Sequence, residues 1–453
     1  MMSYRRPIYR LLILVVLALA SLPLLALDRQ PNADYRARRM ALAQKLEGGV
    51  AVIFAASEAE GPNATYGFRQ DDNFFYLSGS TEPGAALIVA PAFGKDSPQP
   101  YTEILFLPAR NPKQEKWTGP KLGPDNQQAT SITGFDRVAS LDTLTAEVAK
   151  LLTAGRPAIY LDQPGSGEQN AASSFLEWAR RANALPLGAR VNDVKPALAS
   201  LRVIKDAGEI ERIRHATEAS VAAHFAALKM IKPGINEHDV ATVMIYEFMK
   251  GGCERPAYAP IVGSGFYSTV LHYSADDQPI RDGDVVVMDV AGEYAMYASD
   301  ITRTAPANGK FTARQREIYN IVLGAQQAAI AAFQSGQSTL NGDNSLYRVA
   351  YDYINSHGKD LHGQPLGQYF IHGLGHYVGL NVHDVGDNKA KLGPGMVFTV
   401  EPGIYIPEEK IGVRIEDVVW VDADGKLVNL SGALPHTAED IEAVMAGTYK
   451  PKS

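Results

Sequence analysis

Two aspartates within an apolar segment limit the fold of this chain more than any other feature of its sequence. Asp289 interrupts a run of Val and Met residues, and Asp300 closes the stretch VVVMDVAGEYAMYASDITRT, residues 285–304. Burying a carboxylate without a partner is strongly unfavourable, so apolar strands rarely contain one. The stretch therefore predicts a strand pair in which the two acids share a positive counter-charge.

This stretch, which we name the first acidic hairpin, is predicted to turn between Tyr294 and Ala295. In that register Asp289 and Asp300 are cross-strand partners on one face, with Cβ atoms about 4.5–5.5 Å apart. Two opposed carboxylates repel each other, and a cation between them removes the repulsion. The turn lacks an Asn-Gly or Asp-Gly pair, and its permissive residue is Gly292.

A second acidic hairpin is predicted in FTVEPGIYIPEEKIGVRIEDVVW, residues 398–420. Glu401 and Glu416 are symmetric about the polar pair Glu408 and Glu409, and apolar residues flank both acids. The chain thus offers two hairpins, each with a facing pair of acids on apolar strands. Two such pairs indicate a binding site rather than an accident of sequence.

Three of the ten histidines lie between these hairpins, in YFIHGLGHYVGLNVHDVG, residues 369–386. They are His372, His376 and His383, and the glycines among them permit close backbone approach. A lone histidine in apolar sequence is most often a hydrogen-bonded core residue. Beside four carboxylates, however, a neutral imidazole is a suitable ligand for a divalent ion.

Salt bridges are the alternative explanation for the acids, because Arg303 and Arg414 lie in the same hairpins. Two arginines cannot neutralise four buried acids and also account for the histidines, whereas two divalent cations can. Four carboxylates and one imidazole favour Mn²⁺, followed by Co²⁺, Fe²⁺ or Mg²⁺, over a structural Zn²⁺. A carboxylate that reaches both ions would hold them about 3.5–4 Å apart, as in two-metal hydrolases.

These segments resemble a known family. HGLGHYVGLNVHDVG, GMVFTVEPGIYI and GVRIEDVV, together with the first acidic hairpin, are similar to the pita-bread metallopeptidases, and most closely to bacterial aminopeptidase P (Xaa-Pro aminopeptidase). YGFRQDDNFFYLSGSTEPGAALIV and EKWTGPKLG resemble the N-terminal domain of that family. The resemblance implies an α/β (α+β) fold class. A creatinase/aminopeptidase-P-like α/β domain would precede a C-terminal pita-bread metallopeptidase domain.

The resemblance also implies roles for the polar residues of this region. The implied metal ligands are Asp289, Asp300, His376, Glu401 and Glu416. Asp300 and Glu416 would bridge the two ions, and Glu401 would lie nearest the attacking water. His272 in LHYS and His383 match residues that face the substrate. Three further residues match an outer layer, for which packing or a salt bridge is the alternative role: His372, Tyr405 and Arg414.

The implied activity is that of a proline-specific dimanganese exopeptidase, which hydrolyses the N-terminal Xaa-Pro bond of a peptide with a water activated by two metal ions. Glu401 would act as general acid and base, taking a proton from the water and returning one to the proline nitrogen. His383 and His272 would donate hydrogen bonds to the oxyanion. The alternatives are an Xaa-Pro dipeptidase (prolidase), a hydrolase of other bonds such as organophosphates, and a non-catalytic peptide-binding protein.

The length of 453 residues predicts two domains rather than one core. Apolar segments of strand length alternate with helical patterns in the first half and predict an α/β domain. Those segments are residues 48–56, 85–93, 103–110 and 157–162. In the second half, the capping-box patterns Asp206 with Glu209 and Thr312 with Gln315 begin two helices. We place the domains at residues 28–195 and 196–453.

The N-terminus predicts export. Arg5, Arg6 and Arg10 precede the apolar run LLILVVLALASLPLLAL, so residues 1–27 resemble a signal peptide. The protein would then be periplasmic or secreted, and an uncleaved anchor in the inner membrane is the alternative. Cleavage removes three arginines and no acid, so the net charge falls from −7 to −10.

Charge and cysteine content exclude some classes of partner. An acidic chain without a basic stripe is not expected to bind nucleic acid. Cys253 is the single cysteine, so no intrachain disulfide can form and thiol-rich metal sites are excluded. The resemblance implies a homo-oligomer, a dimer or tetramer, in which Trp117 of EKWTGPKLG would approach a neighbour's active site. Packing of Trp117 on its own domain is the alternative.

Overall fold

The computed structural model describes residues 27–58, 66–92, 101–163, 170–181, 185 and 188–451. The predicted signal peptide, residues 1–27, lies outside this part of the chain except for Leu27. Within the described ranges no helix has the length and apolar character needed to cross a membrane.

The N-terminal part is built on one mixed six-stranded sheet. Its strands are β1 (Val50–Phe54), β2 (Ala86–Pro91), β3 (Tyr101–Leu107), β4 (Val138–Ser140), β5 (Ala158–Leu161) and β6 (Arg190–Asp193). They lie in the order β4-β3-β2-β1-β5-β6, with antiparallel pairs at β1–β2 and β2–β3 and parallel pairs elsewhere. The four predicted segments form β1, β2, β3 and β5. The two edge strands are short and incompletely buried, so no apolar run marks them in the sequence.

Helices cover both faces of this sheet. The helices of this part of the chain are α1 (Asn32–Lys45), α2 (Asp72–Ser78), α3 (Glu115–Thr118), α4 (Ala129–Thr133), α5 (Leu144–Thr153), α6 (Ala171–Arg181) and α7 (Lys195–Arg202), of which the short α3 buries no residue. Alternate residues of β1 point to opposite faces. Val52 packs in a core with Val148 of α5 and Phe175 of α6, whereas Ile53 packs in a core with Leu42 of α1.

Side-chain caps begin the helices of the C-terminal part, and the sequence predicts two of these caps. These helices are α8 (Ala207–Met230), α9 (Glu237–Lys250), α10 (Ala313–Ala331), α11 (Leu346–His357) and α12 (Ala438–Met445). Asp206 and Glu209 form a capping box at α8, and Thr312 and Gln315 form one at α10, so both predictions are confirmed. Each box satisfies backbone N–H groups that have no partner within the helix.

Short antiparallel strands form the rest of the C-terminal part. They are β7 (Arg255–Pro256), β8 (Ile261–Ser264), β9 (Val285–Asp289), β10 (Gly292–Tyr294), β11 (Tyr297–Ala298), β12 (Thr302–Pro306), β13 (Val397–Val400), β14 (Gly403–Ile406), β15 (Ile411–Arg414), β16 (Asp417–Val421) and β17 (Leu427–Asn429). The central strand β9 lies between β8 and β12, and every one of its residues is buried. Burial on both faces explains its unbroken run of Val and Met.

The first acidic hairpin also connects the two parts of the chain. Met296 and Tyr297, at its tip, share an apolar core with Leu42 of α1. Arg69, from the N-terminal part, donates hydrogen bonds to Glu293 at 2.7 Å and to the Leu380 carbonyl oxygen at 2.6 Å. The hairpin and the histidine segment are therefore both held by the N-terminal part.

Candidate metal centre

The first acidic hairpin forms, but its predicted register is wrong by two residues. Asp289, the last residue of β9, pairs with Thr302 of β12 rather than with Asp300. The hairpin turns at Ala295 and Met296, whose φ angles are 50° and 73°. Such left-handed conformations are uncommon for residues other than glycine, so the sequence carries no turn signal at this point.

A shift of two residues leaves every side chain on its predicted face, because side chains alternate with a period of two. Asp300 precedes β12 and places Oδ2 3.2 Å from His376 Nε2. The Tyr258 hydroxyl donates to its other oxygen, Oδ1, at 2.6 Å. Asp289 and Asp300 line the same cavity despite the register error.

The second acidic hairpin has the predicted register, which is confirmed. Val400 pairs with Asp417 and Gly403 with Arg414, so Glu401 and Glu416 occupy matching positions on the two strands. Thr302 links the hairpins, because its hydroxyl donates to Glu416 Oε2 at 2.6 Å and its carbonyl oxygen accepts the Glu416 N–H at 3.1 Å.

A close approach at Gly375 brings His376 to the acids. A Cβ atom on Gly375 would lie 2.1 Å from the Thr399 carbonyl oxygen, so only glycine fits there. The Thr399 N–H donates to the His376 carbonyl oxygen at 2.9 Å. This contact fixes the imidazole with Nε2 3.2 Å from Asp300 and 3.5 Å from Glu401 Oε1.

Three predicted ligands, Asp300, His376 and Glu416, form a compact group whose ligand atoms all lie within 4.8 Å of one another. Glu401 adjoins the group through His376, and Asp289 lines the same cavity. All five predicted ligands therefore surround one cavity, with a volume of about 600 Å³.

Among the described residues, only one of the four acids, Asp289, forms a salt bridge with an arginine. Arg414 Nη2 donates to Asp289 Oδ2 at 2.6 Å, and its other nitrogens bind the hydroxyls of Thr302 and Tyr405. Arg303 instead pairs with the Asp417 carboxylate at 2.7 Å. The salt-bridge alternative therefore leaves most of the acidic charge without a partner.

The pKa values of the cluster residues reflect this excess of negative charge. Burial raises the pKa of Asp300, Glu401 and Glu416, and nearby acids raise each of them further. Burial lowers the pKa of His376, but the hydrogen bond and charge of Asp300 outweigh that effect and raise it to about 9.

The buried Asp289 Oδ1 has no hydrogen-bond partner among the described residues. Hard oxygen donors, one imidazole and an unpartnered carboxylate oxygen fit divalent cations.

The predicted outer-layer residues form a hydrogen-bonded chain that ends at the cluster. His372 Nε2 lies 2.8 Å from the Tyr405 hydroxyl, which accepts from Arg414 Nη1 at 2.9 Å. Arg414 in turn binds Asp289. His272 and His383 also line the cavity, and the His383 ring centroid lies 4.0 Å from that of His376.

Comparisons with known proteins identify the family of this chain. Residues 211–423 match metallopeptidase family M24, and residues 35–160 match the aminopeptidase P N-terminal domain. The Xaa-Pro aminopeptidase of Escherichia coli strain K12 is 35% identical over 92% of this chain and 98% of that protein. Xaa-Pro aminopeptidase 3 of Homo sapiens is 34% identical over 84% of this chain and 77% of that protein. The chain belongs to the aminopeptidase P group of the M24 metallopeptidases.

Solved aminopeptidase P structures share the fold of this chain. Aminopeptidase P from E. coli with the inhibitor Pro-Leu superposes with a TM-score of 0.80 at 32% identity, over 93% of this chain and 99% of that one. Proline aminopeptidase P II from Yersinia pestis gives 0.79 at 33% identity, over 92% and 100%. The predicted fold class, an aminopeptidase P N-terminal domain before a metallopeptidase domain, is confirmed.

Three residues that support the cluster of this M24 member have no role in the sequence prediction. Tyr258 binds Asp300, Thr302 binds Glu416, and the Thr399 hydroxyl donates to Glu401 Oε1 at 3.2 Å. Thr302 lies two positions after Asp300, so strand periodicity could have placed it on the same face. Tyr258 is 42 residues from Asp300, and no pattern in the sequence connects the two.

Trp117, the residue that the family resemblance places near a neighbouring subunit, lies on the surface. It is 90% exposed, so the alternative that it packs on its own domain is wrong. Its approach to a second chain stays a prediction.

Proposed function

We propose that this chain removes the N-terminal residue from peptides whose second residue is proline. The observation that carries the proposal is the group of Asp300, His376 and Glu416 atoms within 4.8 Å, at the wall of a cavity with His272 and His383. The relatives named Xaa-Pro aminopeptidase supply the substrate class. Membership of the aminopeptidase P group supports a metal-dependent exopeptidase.

The cluster suits two divalent cations, and we propose Mn²⁺ for both because carboxylate oxygens dominate the donor set. The residues that would hold the ions are Asp289, Asp300, His376, Glu401 and Glu416. When bound, the ions supply the positive charge that polarises a carbonyl and lowers the pKa of a water.

Glu401 is positioned to transfer the proton of the reaction. Its Oε1 lies 3.5 Å from His376 Nε2, and burial raises its pKa from the ordinary value of a glutamate. A carboxylate with a raised pKa both accepts and returns a proton near neutral pH. In this proposal Glu401 takes a proton from water and passes one to the departing proline nitrogen.

His383 is suited to stabilise negative charge on the carbonyl oxygen. Partial burial and the neighbouring His376 and His272 lower its pKa to about 4, so its ring is neutral at pH 7. A neutral imidazole still donates one hydrogen bond. His272 lines the same cavity and is the second proposed donor.

A pair of peptides tests the proposal. Protein loaded with Mn²⁺ is incubated with Ala-Pro-Ala and with Ala-Pro, and released alanine is measured. We expect alanine from the tripeptide. Hydrolysis of the dipeptide alone would favour the prolidase alternative. No turnover of either peptide, with fewer than two ions bound per chain, would favour a non-catalytic peptide-binding protein.

The location and assembly of the protein are separate proposals. The pattern of residues 1–27 supports export to the periplasm or beyond, which cell fractionation of the full chain tests. The exposed Trp117 supports a dimer or tetramer, which light scattering of the purified protein tests. If the protein is a monomer, Trp117 has no neighbouring chain to approach, and this proposal is wrong.

A further inference from the structure

Two asparagines line the cavity beside the metal cluster without a role in the mechanism above. Asn341 precedes α11, and Asn388 follows the histidine segment. The two loops are joined by main-chain hydrogen bonds, because Asn341 N donates to the Asn388 carbonyl oxygen at 2.9 Å and Leu392 N donates to the Ser338 carbonyl oxygen at 2.8 Å. The backbone therefore holds both side chains next to each other at the cavity wall.

Neither side-chain amide forms a hydrogen bond with another group in the described part of the chain. The neighbouring polar residue Asp387 accepts the Lys389 N–H at 2.9 Å, as loop residues of this type commonly do. Asn341 instead directs its amide to the histidine segment, where a Cβ atom on Gly373 would lie 3.2 Å from Nδ2. Both amides are thus available to a ligand in the cavity.

The direction of a bound peptide follows from the proposed reaction. The bond that is hydrolysed lies at the metal cluster and the residue removed is the first, so the remainder of the peptide extends away from the cluster toward the mouth of the cavity. A peptide main chain beyond the proline offers N–H and C=O groups, and a carboxamide can bind either one. Asn341 and Asn388 have the chemistry to pair with such a main chain.

An Xaa-Pro dipeptide ends at the proline. It therefore presents a free carboxylate at the point where a longer peptide continues its main chain. Among the described residues that line the cavity there is no lysine, and Arg414 is the sole arginine. Its nitrogens bind Asp289, Thr302 and Tyr405, so it has little capacity for another carboxylate. The cavity therefore suits a continuing main chain better than a free C-terminus.

We propose that Asn341 and Asn388 bind the substrate main chain beyond the proline and so make this enzyme prefer peptides of three or more residues over Xaa-Pro dipeptides. This inference rests on the proposed function and assigns its length specificity to two residues.

The test uses Mn²⁺-loaded full-length protein, Asn341→Ala, Asn388→Ala and the double variant. Asn344→Ala is the matched control, because Asn344 lies in the same loop, is exposed and does not line the cavity. The values of kcat, KM and kcat/KM are measured for Ala-Pro-Ala. The same values are measured for Ala-Pro. Where turnover of Ala-Pro is too slow, its inhibition constant is measured with the tripeptide as substrate. Thermal unfolding verifies that each variant is folded.

We expect each single variant to lose about fivefold in kcat/KM on the tripeptide, mainly through KM, as for one lost neutral hydrogen bond. The value for Ala-Pro should stay within twofold, and the control should match the wild-type protein on both peptides. Equal losses on both peptides, or no loss on the tripeptide, would overturn the inference while leaving the proposed function intact. Absence of wild-type turnover on both peptides would remove the proposed function and this inference with it.

Discussion

At the scale of single residues, Glu416 shows why this site needs cations. Its side chain is 1% exposed, it accepts one hydrogen bond from Thr302, and no arginine forms a salt bridge with it among the described residues. Burial and the charges of Asp300 and Glu401 raise its pKa well above the ordinary range. Without metal ions, protons are the counter-charge that keeps such acids in an apolar site.

The affinity for metal ions should therefore depend on pH. The cluster acids have raised pKa values, so the metal-free protein holds protons there that the unperturbed side chains would release. Cations bind deprotonated ligands and must displace these protons, so affinity should rise with pH and weaken as the pH falls below 7. Calorimetry with Mn²⁺ in buffers of different ionisation enthalpy should show proton release at pH 7. Binding without proton release would contradict the prediction.

Asp300→Asn should weaken the binding of both metal ions together. Asp300 contacts His376 and belongs to the compact group with Glu416, so it is the acid best placed for sharing. The loss should exceed the roughly 10–100-fold typical of an outer-shell partner. Metal content is measured after dialysis against Mn²⁺ of fixed concentration. Retention of two ions per chain at wild-type affinity would show that Asp300 is not a shared ligand.

Glu401→Gln should reduce kcat by roughly 10²–10⁴-fold, the usual contribution of a general acid or base. Glu408→Gln is the matched control, because Glu408 lies at the exposed turn of the same hairpin and pairs with the exposed His362. That variant should keep the wild-type rate on Ala-Pro-Ala. A Glu401→Gln protein with normal kcat and normal metal content would exclude proton transfer by this residue.

At the scale of elements, the two acidic hairpins show what strand symmetry can and cannot predict. The second hairpin turns at the polar residues Pro407 to Lys410, and its register follows from the sequence. The first turns at Ala295 and Met296, which are buried and non-glycine, so local turn chemistry points to the wrong centre. Packing of the tip against the N-terminal core fixes the turn there, and only the folded chain contains that contact.

The same limit applies to the parts of the site that the sequence does not mark. The four acids and His376 stand out because ionisable residues are unusual in apolar segments. Tyr258 and Asn388 have no such contrast with their neighbours, and their place at the cavity depends on how distant segments meet. The fold class was thus accessible from local pattern and resemblance, and the five predicted ligands line one cavity, whereas the supporting hydrogen bonds required the tertiary structure.

Substitutions at Ala295 should separate backbone strain from packing. Ala295 has a φ of 50° and no exposed surface. Ala295→Gly relieves the strain but makes the unfolded chain more flexible, so stability should stay within about 1 kcal/mol. Ala295→Val adds a β-branched side chain at a left-handed position and should cost about 2 kcal/mol or more. Thermal unfolding of both variants gives the comparison, and equal stability would refute the importance of this turn.

At the scale of the whole molecule, the N-terminal domain holds the first acidic hairpin and the histidine segment in place. It contacts the first acidic hairpin through Arg69 and Glu293, and it contacts the histidine segment through the Leu380 carbonyl oxygen. A shared apolar core lies behind these polar contacts. The two domains therefore act as one structural unit around the cavity.

The contact at Asp384, next to His383, provides the last prediction. The Asp384 carboxylate is 1% exposed and pairs with Arg202 at 2.6 Å and Lys205 at 3.0 Å. Asp384→Asn leaves the buried Lys205 without its anion and leaves Arg202 with the more distant Asp72 carboxylate at 3.4 Å, so it should cost about 3 kcal/mol.

This stabilisation should depend on pH in a defined direction. Burial raises the pKa of Asp384, but Lys205 and Arg202 outweigh burial and lower it overall. A carboxyl with a lowered pKa stabilises the folded state above its unfolded value of about 4, and the effect is lost as the pH falls through the folded value. Wild type should thus exceed Asp384→Asn by a constant margin in thermal unfolding from pH 5 to 8, and the margin should shrink below pH 4. Asp352→Asn, which alters an exposed pair with Arg348, should differ from wild type by less than about 1 kcal/mol throughout. A margin that grew as the pH fell would mean that the ionised Asp384 carboxylate is not the group that pairs with Arg202 and Lys205.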